Sequence, residues 1–85
     1  MSKLEHALEG WHEERRSAWL YRAVARAEAG TSRAALFEEL AHAAEGQSEI
    51  WAGVILENGG TVPTNFRPDI RTRLVASMMR IFSPR

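Results

Sequence analysis

The sequence of 85 residues predicts an all-α protein, and three observations carry that expectation. Two segments of about 26 residues each repeat apolar side chains at the three-and-four spacing of one helical face. No stretch alternates apolar and polar residues as a half-buried strand would. The breakers Gly30, Gly59, Gly60, Pro63 and Pro68 fall where the periodic segments stop.

The first helix is expected from about Leu4 to Ala29. Its stripe reads Leu4, Ala7, Trp11, Glu14, Ala18, Tyr21, Ala25 and Glu28, widened by Leu8, Leu20 and Val24. Gly10 inside it costs about 1 kcal/mol against alanine, which predicts fraying before that point. Gly30 supplies a left-handed exit, and Thr31 or Ser32 the next N-cap. The second helix is expected from about Arg33 to Asn58. Its seam reads Phe37, Leu40, Ala44, Gln47, Trp51 and Val54, with Ala41, Ser48 and Ile55 alongside. So short a turn makes the two long helices an antiparallel hairpin.

Pro63 and Pro68 bar helix through the linker "TVPTNFRP". A third helix follows in "PDIRTRLVASMMRIF", with Pro68 suited to its first turn and Asp69 to its N-terminal dipole. Ile70, Leu74, Met78 and Ile81 form its stripe, widened by Val75 and Phe82. Residues 1–60 are thus expected as a helical hairpin, and residues 61–85 as a linker and a basic amphipathic helix.

A two-helix hairpin cannot cover its own seam. Each long helix spans about 39 Å at 1.5 Å per residue, more than the short third helix can shield. Chains of this size often need a metal, disulfides or a partner subunit, and disulfides are excluded by the absence of cysteine. The expected assembly is a homodimer in which two hairpins make a four-helix bundle.

Charge is unevenly placed. Residues 1–66 carry six basic and ten acidic side chains, a net −4, while residues 67–85 carry five arginines and Asp69, a net +4. A basic segment invites an anionic neighbour, either nucleic acid or a lipid headgroup layer. Aromatic residues follow the seam rather than interleave with arginine, so nucleic-acid stacking lacks support. The basic-plus-apolar third helix suits a membrane surface, with packing on the hairpin as the competing reading. No run of 18 apolar residues exists to span a bilayer, and "MSKLEHALEG" does not read as a signal peptide. The expected location is the cytoplasm, at the cytoplasmic face of a membrane if the third helix binds one.

Glu14 and Glu28 fall on the otherwise apolar stripe, and a buried carboxylate needs compensation. Three routes stay open: pairing with Arg15, Arg22 or Arg26, water at a helix end, or metal. His6, His12 and His42 occupy outward positions, and Glu38, Glu39, Glu45 and Glu49 read as a solvated acidic face. No serine has a base-and-acid arrangement, and "ENGGTV" lacks the lysine and hydroxyl of a phosphate loop.

The spacing of Glu14, Trp19, Tyr21 and Glu28, then "LFEELAHAAEGQSEIW" and the arginine-rich "NFRPDIRTRLVASMMRIFSPR", resembles the ferritin-like (rubrerythrin-like) domain of vacuolar-iron-transporter family proteins. The resemblance covers nearly the whole chain. It implies a ferritin-like hairpin, a role in iron or manganese handling and transport, and Fe or Mn as the bound ion. It also implies Glu14 as first-helix ligand with Tyr21 as its neighbour, and Glu28 as a secondary candidate. The second helix departs from the family's Glu-x-x-His pattern, because Ala44 and Gln47 stand at those positions. Shifting by one residue offers Glu45 and Ser48, with Glu45 turned off the seam. The candidate metal ligands are therefore Glu14, Glu28, Gln47 and Glu45. Without Glu-x-x-His at those seam positions, metal binding or sensing is expected rather than ferroxidase catalysis, and a metal-free dimerisation module is the alternative.

Overall fold

Each helix begins where a side chain can satisfy amides that lack a partner in the first turn. The computed structural model describes residues 2–82: α1 (Lys3–Ala27), α2 (Ser32–Glu57) and α3 (Ile70–Phe82), with no strand among them. Arg85, counted above in the basic tail, and the side chain of Phe82 lie outside the described residues. Ser2 Oγ accepts from the Glu5 amide at 3.1 Å and donates to the Glu5 carboxylate at 3.2 Å. This is a capping signal just ahead of the expected start. Thr31 caps α2, accepting from the Ala34 amide, and the Asp69 carboxylate accepts from the Thr72 amide at 2.8 Å to open α3.

Both long helices end on a glycine in the left-handed region, Gly30 at φ +88° and Gly59 at φ +81°. Only glycine holds that conformation without cost. Beyond α2 the Gly60 amide donates to the Ile55 carbonyl at 2.9 Å and the Asn58 side chain to the Val54 carbonyl at 2.8 Å. The last carbonyls of α2 are thereby satisfied, and the chain is released towards Pro63.

α1 and α2 run side by side in opposite senses. His6 meets Trp51, Arg15 meets Glu49, and Tyr21 meets Phe37. The shared surface is made of small residues: Ala7, Ala18 and Ala25 from α1, and Ala41, Ala44, Ser48 and Ala52 from α2. Trp11 (2% exposed) and Ile55 are the large side chains fully buried among them. Leu4, Leu8, Trp51, Val54 and the linker residues Val62 and Phe66 pack around that centre.

The expected seam of α2 is rotated. Ala41, Ser48 and Ile55, placed alongside it, are central, whereas Leu40, Trp51 and Val54 are half-buried and Gln47 is exposed. Pattern alone favours the largest apolar residues as the centre. Two close-packed helices favour the smallest, since backbones approach only over short side chains. Gly10 shows the same constraint. α1 continues through it unbroken, and a Cβ there would overlap the indole of Trp51. Its cost in helix propensity is offset by letting the ring lie on the backbone.

α3 packs on α1 and on no other helix. The fold measures 46 × 25 × 20 Å with a radius of gyration of 14.5 Å, against about 12 Å for a compact chain of this length. Its accessible surface of 5940 Å² exceeds the roughly 5100 Å² of a folded monomer of this mass.

Gly10→Ala should destabilise the protein by about 1–3 kcal/mol despite alanine's helix preference, because the ring and backbone must separate. Gly46→Ala, with open space around its Cβ, should stabilise it by about 1 kcal/mol. Urea unfolding of both variants against the parent checks the contrast.

Candidate functional site

The antiparallel pair has two edges of different chemistry. Along one, Arg15 and Arg22 of α1 reach across to glutamates of α2. Arg22 forms a two-pronged pair with Glu45, at 2.5 and 3.1 Å, and approaches Glu38 at 3.7 Å. Arg15 lies 3.4 Å from Glu49, its guanidinium 5.3 Å from the centroid of the Trp11 ring. The Arg22 hydrogen bond holds the Glu45 carboxyl below its usual range, against the opposing effect of desolvation, and the same bond raises Arg22. The expected solvated acidic face is in part this ladder: Glu38, Glu45 and Glu49 tie the helices together.

The other edge is apolar. Gly10 and Tyr21 of α1 meet Trp51 and Phe37 of α2 there, and helical spacing puts Glu14 between them on α1. The same spacing places Leu40, Gln47 and Val54 on α2's side, continuing to Leu36 and Ile50, which are 52% and 62% exposed. α3 packs on α1 alone, and Phe66 lies with Arg15, Arg22 and Glu45 of the charged edge.

The four candidate ligands are distributed over this geometry. Glu14 is half-buried on the apolar edge. Its carboxylate takes no part in the ion pairs or hydrogen bonds of the described residues, which engage Arg15 and Arg22 with α2 instead. Glu28 is buried at the C-cap of α1, where its carbonyl accepts from the Thr31 hydroxyl at 2.6 Å. Glu45 is committed to Arg22 on the charged edge. Gln47 is exposed. Among the described residues no three acidic, histidine or cysteine side chains gather as a metal-holding group. One chain therefore brings Glu14 and Gln47 to the same edge, and keeps Glu28 and Glu45 apart from them.

The histidines are exposed, as their outward positions predict, yet two stack at ring edges: His6 on Trp51 at 5.3 Å and His12 on Trp11 at 5.0 Å. Sequence reasoning missed the arginine–glutamate ladder. Its signal was present in Arg15 and Arg22, seven apart, and in Glu38, Glu45 and Glu49, at seven and four. No protein family, curated protein or solved structure matches this chain.

Because Arg22 depresses the Glu45 carboxyl, the pair stabilises the fold fully above the unfolded carboxyl range, and that contribution is lost as pH falls through the lower folded value. Glu45→Gln should cost up to about 1 kcal/mol at neutral pH. The gap to wild type should close in acid, as read by chemical denaturation across pH.

Proposed function

We propose that this chain is a ferritin-like helical hairpin, residues 1–60, that pairs with a second copy to complete a four-helix bundle and serves as a metal-binding or sensing module in iron or manganese handling. The observation that carries the proposal is the apolar edge. On the side of the helix pair where Glu14 stands half-buried, Tyr21, Leu40 and Val54 are half-buried and Leu36 and Ile50 exposed. The surface in excess of a folded monomer's, about 800 Å², is shared between this edge and the exposed stripe of α3 and is of the order of one side of a standard protein interface. Two-fold pairing along this edge would bring two copies of Glu14 and Gln47 near one another. Carboxylate oxygen suits ferrous and manganous ions, and the amide is a weaker donor. Such a sparse set binds and releases metal; with Ala44 and Gln47 at the second-helix positions, this edge presents no Glu-x-x-His with which to run oxygen chemistry.

A second reading is a homodimerisation module that carries no metal. The engagement of Glu45 with Arg22 supports it, since the second-helix carboxylate nearest the expected ligand positions is already neutralised.

Sedimentation equilibrium should give a dimer at micromolar concentration. Leu36→Glu and Ile50→Glu, both at exposed positions, should return a monomer with unchanged helix content. A monomeric parent protein would end both readings. Ferrous or manganous ion should raise the melting temperature of the parent dimer, and Glu14→Ala should abolish that rise while leaving the dimer intact. A dimer indifferent to both ions would leave the metal-free reading standing alone.

A further inference from the structure

α3 is amphipathic in the unexpected sense. The face it turns to α1 is narrow: Thr72 is buried, and Ala76 and Met79 are half-buried. Ile70, Leu74, Met78 and Ile81, at the spacing of one helical face, are 56–78% exposed. A helix that only stabilised the hairpin would turn that stripe inward. The arginines take up the positions on either side. Arg71 lies on one flank, where a groove against α1 also holds Arg16. Arg73 and Arg80 lie on the other, in a cavity of about 690 Å³ that Arg26 and Trp19 also line. No carboxylate lines that second cavity, and Arg26, Arg73 and Arg80 form no ion pair with any described carboxylate. Asp69, the one acid of residues 67–85, caps α3 through Thr72, whose side chain and amide, with Arg16 and Arg71 nearby, hold its carboxyl below the usual range.

The occupant of this face must satisfy an apolar stripe together with the arginines beside it, of which Arg73 and Arg80 have no described carboxylate partner. A second α3 would supply the apolar stripe but bring like charges into register, which is repulsive. An anionic bilayer surface supplies both: acyl chains for Ile70, Leu74, Met78 and Ile81, and phosphate and carboxylate headgroups for the arginines. We propose that α3 seats this protein on an anionic phospholipid surface, lying in the interfacial plane with its apolar stripe inserted and Arg71, Arg73 and Arg80 on headgroups. α3 has 13 residues, and no described helix is long and apolar enough to cross a membrane. This inference stands apart from the pairing proposed above, which uses the opposite side of α1.

The test is flotation of the full chain with vesicles of phosphatidylcholine alone or mixed with phosphatidylserine. Binding should require phosphatidylserine and weaken as salt is raised. Arg73→Gln and Arg80→Gln should each weaken it about fivefold, the equivalent of about 1 kcal/mol per basic side chain near a charged surface. Leu74→Glu should weaken it by about tenfold or more without altering helix content or the mass of the free protein. No binding, equal binding to both vesicles, or wild-type binding by Leu74→Glu would overturn the proposal. So would a Leu74→Glu variant of altered solution mass, which would assign the face to a second copy.

Discussion

The close approach of α1 and α2 over alanine and serine sets the terms for the rest of the molecule. Short side chains let two backbones come near, and the helices then fix each other's direction and register. The same choice leaves a thin core, because an alanine removes little apolar area from water. Trp11 and Ile55 supply the bulk at one end, and Tyr21 against Phe37, with ring centroids 6.2 Å apart, supplies it nearer the other. The larger aliphatic residues of α2 cannot enter so narrow a seam, and they stand at its margin or beyond it.

That displacement gives the pair its two unlike edges. Where arginine faces glutamate, the edge is complete within one chain: Arg22 satisfies Glu45 with two hydrogen bonds, and Arg15 rests on Trp11 while reaching Glu49. Where aliphatic and aromatic residues gather, the edge leaves Leu36 and Ile50 exposed among the described residues. Glu14 derives its interest from standing there. A carboxylate in bulk water needs no partner, and one paired with arginine has its partner already. Glu14 is half-buried in apolar company with neither arrangement visible. The two edges also explain why the candidate ligands fail to converge within one chain, since Glu45 belongs to the finished edge and Glu14 to the unfinished one.

The linker and α3 extend the same logic to a second surface. Gly60 packs against Leu4 and Ile55, and Val62 and Phe66 join the core cluster. The chain thereby closes the end of the helix pair before α3 docks on α1. α3 then docks through Thr72, Ala76 and Met79, and its other aliphatic stripe is left exposed. A short, strongly amphipathic helix held with its apolar side outward is costly in water unless a second phase or surface receives it.

Much of this could be read in the residues. The three helices, the glycine exits at 30 and 59, the caps at Thr31 and Asp69, and the burial of Trp11, Ala18 and Ala25 all follow from local chemistry and from a period of 3.6. These features depend on neighbours close in sequence, which a sequence displays. The rotation of α2, the role of Gly10 beneath Trp51, the ladder between Arg15, Arg22 and their glutamates, and the outward face of α3 depend on how near one helix comes to another. Periodicity says that a face is apolar and leaves open what lies against it. For Glu14, a pattern could place the carboxylate on the stripe, but the tertiary structure decided that its neighbouring arginines turn to α2, because that partner's acids lie within their reach.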